Sequence, residues 1–167
     1  MNPNVSNLIV QYRDKGVLFD TNLLLVLLVG NIEPRLIGKI ARTDAFSRSD
    51  YERLRDVLGC FTRFVVLPQI LTEAGNLLKR NCPTASTLLD LNRELAGFVH
   101  AAQTRESRVS SRRVTIHPAF PQLGYADAAV LTAAAGKHLL VTADGPLQGM
   151  AWASGVDVLP FAWLQKI

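Results

Sequence analysis

The sequence has little cysteine, and this scarcity excludes two classes of small protein. Only Cys60 and Cys82 occur in 167 residues, and neither has a histidine or a second cysteine close by. Disulfide frameworks and zinc ribbons need paired or clustered cysteines. We therefore expect both side chains to act as small buried hydrophobic groups. A reducing compartment is consistent with that expectation.

Long hydrophobic runs are also missing. The longest apolar stretch is residues 23–29, whereas a helix that crosses a bilayer needs about 20 apolar residues. The first four residues lack the positive charge and following apolar run of a secretory signal peptide. We therefore expect a cytoplasmic protein with no membrane partner. Residues 23–29 should pack inside the protein or form part of a dimer face.

The remaining composition is that of a globular protein. Hydrophobic residues make up 49% of the chain and charged residues 19%, which excludes general disorder. The length fits one domain, which we place at residues 16–167 after an N-terminal extension at residues 1–15. Eighteen Lys and Arg residues against 14 Asp and Glu give a net charge of +4. This mild excess is compatible with a polyanionic partner but does not require one.

Short apolar runs alternate along the chain with longer segments of helical spacing. Strands are predicted at residues 16–20, 64–67, 139–142 and 156–159, the last ended by Pro160. Helices are predicted at residues 23–31, 49–61 (with Ser49 as N-cap), 68–80, 84–103, 125–136 and 146–153. The basic stretch 105–113 should form a loop before a weak strand at residues 114–116. This alternation predicts an α/β fold, a three-layer α/β/α sandwich with a central, mostly parallel sheet.

Four acidic residues follow or approach the ends of these strands. Asp20 and Asp144 come after the first and third strands, and Glu73 lies in the first turns of the helix that leaves the second. Asp127 lies near the start of the helix that runs into the third strand. Ligands gather at the carboxyl ends of parallel strands, so the topology should bring all four together. Individually, each acid could instead cap a helix or interact with a helix dipole.

Converging carboxylates would need a counter-charge. Four of them within about 6 Å of one another would repel by about 3 kcal/mol per pair at an effective dielectric constant of about 20. Raised pKa values or bound cations must offset this repulsion. Ligands that are all oxygen atoms favour Mg²⁺ or Mn²⁺ over zinc. We therefore predict a divalent metal site formed by Asp20, Glu73, Asp127 and Asp144.

Uncharged and basic residues complete the predicted site. Asn22 and Thr142 are placed to orient the carboxylates, although turn and cap hydrogen bonds would explain them equally well. Arg108, Arg112 and Arg113, together with Arg105, form a basic patch that could contact phosphates. A solvated loop is the alternative for this patch.

Four segments around these acids, in this order, resemble the PIN-domain nucleases. They are VLFDTNL (residues 17–23), LPQILTEA (67–74), GYADAA (124–129) and LVTADG (140–145). The resemblance covers roughly residues 16–162. It implies a PIN-like domain in which the acid of each segment binds metal, namely Asp20, Glu73, Asp127 and Asp144.

The resemblance also implies a function. The implied activity is cleavage of single-stranded RNA by an endoribonuclease that uses Mg²⁺ or Mn²⁺. Such enzymes include toxins that a cognate antitoxin protein inhibits. The resemblance also implies a homodimer. The alternative is a PIN-like binding or assembly module with weak or no nuclease activity. Other enzyme classes lack their motifs. A phosphoaspartate phosphatase needs a second acid where Asn22 stands, and a P-loop needs a glycine where Leu131 stands.

Overall fold

The computed structural model describes residues 3–40 and 42–166. Its centre is a sheet of five parallel strands with the spatial order β3-β2-β1-β4-β5. The strands are β1 (Val17–Phe19), β2 (Phe64–Val66), β3 (Thr104–Glu106), β4 (Leu139–Thr142) and β5 (Val158–Pro160). The register places Leu18 beside Val65 on one side and Leu140 on the other. The order reverses at β1, so β1 and β4 are neighbours whose outgoing connections run in opposite directions.

Helices cover both faces of the sheet. They are α1 (Pro3–Tyr12), α2 (Thr21–Ile32), the 3₁₀ helix η1 (Pro34–Leu36), α3 (Arg48–Leu58), α4 (Pro68–Asn81), α5 (Ala85–His100), α6 (Ser111–Thr115), α7 (Phe120–Leu123), α8 (Tyr125–Ala134), α9 (Gly145–Ala153) and α10 (Phe161–Leu164). Helix α2 contacts α3, α4 and α5, whereas α8 and α9 pack on β4. Right-handed crossovers place these two groups on opposite faces. The predicted three-layer α/β/α fold is therefore confirmed.

The four predicted strands are confirmed, whereas the loop predicted at residues 105–113 is found only at residues 107–110 and the strand predicted at 114–116 is wrong. Strand β3 occupies the edge of the sheet, where Arg105 and Glu106 face solvent, so it lacks the apolar signature of a central strand. The strand predicted at residues 114–116 is instead the end of α6. The Ser110 side chain caps this helix by accepting a hydrogen bond from the Arg113 N–H, and buried Val114 lies within it.

Two element ends also differ from the prediction. Helix α3 is capped by Ser47, not Ser49, because Ser47 and Asp50 form a reciprocal capping box. Pro160 was predicted to follow the last strand. It is instead the last residue of β5 and pairs with Thr142. An edge strand tolerates proline because one side of its backbone forms no ladder hydrogen bonds.

Helix α2 forms the middle of the core. Every residue from 23 to 30 is buried within the single chain, so this stretch offers no surface to a second copy. Cys60 and Cys82 are free and half-buried, packed against the edge of the core. No helix in the described ranges is long and apolar enough to cross a membrane.

Helix α1 lies within residues 1–15, which are predicted from the sequence to be an extension before the domain. Its Val5, Ile9 and Tyr12 side chains are buried in the common core. The Tyr12 hydroxyl donates a hydrogen bond of 2.5 Å to Asp157 just before β5. Burial and this carboxylate raise the pKa of Tyr12 to about 12.

Candidate functional site

A small polar cavity lies at the carboxyl ends of β1 and β4, where the strand order reverses. Its volume is about 80 Å³. Open α/β sheets bind ligands at this kind of switch point, because the connections diverge there and leave a crevice. The cavity is lined by Asp20, Thr21, Asn22, Arg42, Glu73, Leu77, Asp127 and Asp144. The structure therefore brings the four predicted acids to one place.

Asp20 connects the ends of the two central strands. It follows β1 and caps α2, since its Oδ1 accepts a hydrogen bond of 2.8 Å from the Leu23 N–H. Its Oδ2 accepts hydrogen bonds from the Thr142 hydroxyl and from the Ala143 N–H at 3.2 Å. The side chain is only 3% exposed. Burial raises its pKa more than these three donors lower it, and the charge of Asp144 raises it further.

Asp144 occupies the equivalent position after β4. It caps α9, with its Oδ1 accepting from the Leu147 N–H at 2.8 Å. Its own N–H donates to the Thr142 Oγ1 at 2.9 Å. Thr142, which is fully buried, thus donates to one acid and accepts from the backbone of the other. This single hydroxyl fixes the positions of both carboxylates relative to each other.

Glu73 reaches the cavity from the second turn of α4. Its Oε2 accepts a hydrogen bond of 2.5 Å from the buried Thr21 hydroxyl. Helix α4 begins with Pro68, whose missing N–H needs no partner at a first helical position. Glu73 and Leu77 are one helical turn apart and therefore face the cavity together.

Asp127 comes from the first turn of α8, and its environment is the least favourable for a charge. No described residue donates a hydrogen bond to its carboxylate, in contrast to the other three acids. Burial raises its pKa to about 7, with further contributions from the charges of Asp144, Glu73 and Asp20. At neutral pH this carboxyl group is therefore partly protonated, as expected when like charges converge.

The cavity has the donor chemistry for a hard divalent cation. Every acidic ligand atom is an oxygen, which Mg²⁺ and Mn²⁺ prefer. After burial, the negative charges of Asp144, Glu73 and Asp20 also raise the pKa of Asp127, and these same charges would stabilise a cation there. Among the residues that the structure describes, however, no three His, Cys, Asp or Glu side chains are arranged so that they could hold one metal ion. The residues fit a cation by charge and by ligand type.

The other predicted residues lie in different places. Asn22 lines the cavity, whereas Arg108, Arg112 and Arg113 do not. All three arginines are exposed, and Arg108 forms an ion pair of 2.7 Å with Glu106. Helix α6, which carries Arg112 and Arg113, contacts α8, the helix of Asp127. The basic patch therefore lies outside the cavity, and the helix that carries two of its arginines packs against α8.

Three cavity residues were not predicted from the sequence. Thr21 lies between two predicted residues, so its side chain could have been considered with them. Leu77 lies one turn after Glu73 and could have been found from helical spacing. Arg42 has no such local signal. It belongs to the connection before α3 and adopts a positive φ of 71°, which is uncommon for a non-glycine residue.

No protein-family model, no curated protein and no solved structure matches this chain.

Proposed function

We propose that this chain is a PIN-like, divalent-metal-dependent endoribonuclease that hydrolyses RNA phosphodiester bonds. One observation carries the proposal. Asp20, Glu73, Asp127 and Asp144 line one small cavity at the switch point of a parallel sheet. Acids gathered in this way are costly for a protein: either Asp127 keeps its proton or a cation offsets their repulsion. A catalytic metal site is the function that best accounts for that cost.

The four acids would hold Mg²⁺ or Mn²⁺, which supplies a water of lowered pKa and stabilises charge on phosphate oxygens. The chain's own residues keep the acids in position. The helix caps and Thr142 fix Asp20 and Asp144, and Thr21 fixes Glu73. Asp127 has both oxygens free of described hydrogen bonds, which suits it to ligation or to orienting the attacking water.

RNA binding is assigned to the basic patch. Arg108, Arg112 and Arg113 are exposed, and α6 lies against the helix of Asp127. Phosphate contacts made by these residues would give binding that weakens as the salt concentration rises.

The resemblance extends the proposal to the toxin class. On that basis the partners are an RNA substrate, a cognate antitoxin protein and a second copy of the chain, in the cytoplasm. Because residues 23–29 are buried, a homodimer would have to use a different surface.

The test compares the wild-type protein with Asp127→Asn. We expect the wild type to cleave single-stranded RNA in Mg²⁺ or Mn²⁺ and to stop when the metal is chelated. Asp127→Asn should lower the cleavage rate by about 10-fold to 100-fold or more, since it removes a carboxylate from the metal site. Asp127 caps no helix and accepts no described hydrogen bond, so the fold should survive.

The matched control is Asp90→Asn, the same change at an exposed position on α5. It should cleave RNA at the wild-type rate. Cleavage by Asp127→Asn at the wild-type rate would contradict the proposal.

A binding or assembly module with an inactive site is the second candidate. It is favoured by the absence, within the described residues, of three ligands arranged around one point. Metal binding separates the two candidates. A catalytic site should raise the melting temperature in Mn²⁺, and the double variant Asp20→Asn, Asp144→Asn should not respond.

A further inference from the structure

A second, larger groove lies beside the acidic cavity, between the first turns of α4 and α8. Its volume is about 340 Å³. It is lined by Pro68, Gln69, Thr72, Tyr125 and Ala126. The two helices contact each other, so the groove is part of the packed structure.

The groove and the acidic cavity are built from the same two helix starts. Thr72 lines the groove and the next residue, Glu73, lines the cavity. Ala126 and Asp127 show the same arrangement on α8. On each helix, a residue that lines the groove is therefore followed directly by one of the acids. A ligand in the groove would lie close to Glu73 and Asp127. A group attached to a phosphate at the acids could reach it.

The lining of the groove suits a flat aromatic ligand. Tyr125 is 37% exposed and is one of five large hydrophobic residues that are exposed in the described part of the chain. Its hydroxyl donates a hydrogen bond of 2.7 Å to the Ser111 Oγ, and this contact fixes the ring against α6. Pro68 and Ala126 add apolar surface. An immobilised aromatic ring stacks on any nucleobase, because every base has a π-face.

Gln69 adds a hydrogen-bonding group without a partner. Its Oε1 is buried and accepts no hydrogen bond from any described residue. Because this oxygen has no partner, turning the amide toward a ligand breaks none of its hydrogen bonds. A hydrogen bond from the ligand would also remove the cost of leaving a buried carbonyl unsatisfied. An amide both donates and accepts, which matches the edge of a nucleobase.

We propose that this groove binds one unpaired nucleobase of the RNA, stacked on Tyr125 and contacted by Gln69. The proposal rests on the proposed nuclease function, since it places the base next to the phosphodiester bond at the acids. A base can enter the groove only after leaving a helical stack. Single-stranded RNA, the substrate that the proposed function already assumes, presents such a base, and duplex RNA should be a poor substrate.

The test measures RNA binding in chelator and RNA cleavage in Mn²⁺ for Tyr125→Ala and Tyr125→Phe. Tyr125→Ala should weaken binding of a single-stranded oligonucleotide by about 10-fold or more, because it removes the stacking surface. Tyr125→Phe keeps the ring but loses its hydrogen bond to Ser111, so it should bind more weakly than the wild type and clearly better than Tyr125→Ala. Gln69→Leu should bind the four homopolymers with more similar affinities than the wild type does.

A set of oligonucleotides that each lack one base locates the contact. For the wild type, one abasic position should weaken binding as much as Tyr125→Ala does. For Tyr125→Ala, the same abasic position should have no further effect, because ring and base act as a pair.

The outcomes separate this inference from the nuclease proposal. If Tyr125→Ala binds and cleaves as the wild type does, the groove assignment is overturned and the nuclease function stands. Equal losses in Tyr125→Ala and Tyr125→Phe would also overturn it, since the ring would then not be the contact. Binding that depends on Tyr125 without any cleavage supports the groove and contradicts the nuclease. A wild type that neither binds nor cleaves RNA overturns both.

Discussion

Asp127 makes the stability of the folded protein depend on pH. Its pKa is raised to about 7, whereas an aspartate in an unfolded chain titrates near 3.9. Between these two values the folded state holds a proton that the unfolded state has released. The contribution of Asp127 to the free energy of unfolding therefore falls as the pH rises from about 4 to about 7.

Asp127→Asn should remove this dependence, because an amide does not ionise. In chelator, we expect the variant to be more stable than the wild type by about 2 kcal/mol at pH 8, after allowance for solvent screening. At pH 4 the gain should almost vanish. Urea unfolding at both pH values measures the difference. An equal gain at both values would show that burial and the neighbouring acids do not act on this carboxyl group.

Thr142 is the second residue with a large expected effect. Thr142→Val keeps the shape of the side chain but removes the hydroxyl that donates to Asp20 and accepts from the Asp144 N–H. Leaving a buried carboxylate and an amide without this partner should cost about 2–3 kcal/mol of unfolding free energy. Thr142→Ser keeps the hydroxyl and should lose less. Urea unfolding of both variants tests this, and equal stabilities would refute the bridging role.

Among the helices, α2 is packed too tightly for a larger residue at one position. A Cβ atom added at Gly30 would overlap ring atoms of Tyr51 in α3. The Tyr51 hydroxyl donates to the Asn31 Oδ1 at 3.0 Å, which limits the movement of the ring. Gly30→Ala should therefore lower the unfolding free energy by about 1–3 kcal/mol.

Gly75 in α4 provides the control. A Cβ atom there has no neighbour within 4 Å, so Gly75→Ala should be neutral or stabilising by up to about 1 kcal/mol. Thermal unfolding of both variants gives the comparison. A neutral Gly30→Ala would mean that α3 moves away from α2 without cost.

The central strands and the main helices could be predicted because their signals are local. Residues 139–142 form an unbroken apolar run ended by a polar residue, and Pro68 marks a helix start. Strand β3 could not be predicted, since its position at the edge leaves Arg105 and Glu106 in solvent. Residues 114–116 have a strand-like composition, but the Ser110 cap and the contact of α6 with α8 outweigh it.

The acids of the site could be predicted from position alone, but their environments could not. Asp20 and Asp144 follow strands, and parallel topology brings such residues together. The hydroxyl that links them belongs to Thr142, and its two hydrogen bonds depend on the pairing of β1 with β4. Arg42 reaches the cavity through the path of a connecting segment, which local sequence does not determine.

At the scale of the whole molecule, α1 joins the beginning of the chain to the last strand. Ile9 is 9% exposed, and its neighbour Val10 is 78% exposed. Ile9→Ala should lower the unfolding free energy by about 2 kcal/mol or more, because it leaves a cavity in the core. Val10→Ala removes similar atoms from the surface and should change little. An effect of Ile9→Ala as small as that of Val10→Ala would show that α1 contributes nothing to the core.

The strand order also determines when the acidic cavity can form during synthesis. Strand β1 finds its first neighbour, β2, early in the chain, but β4 begins only at Leu139. Two of the three hydrogen bonds to Asp20 come from residues 142 and 143, and Asp144 comes later still. A nascent polypeptide that stops before these residues has only part of the cavity. The four acids can therefore line one cavity only after β4 and Asp144 have left the ribosome.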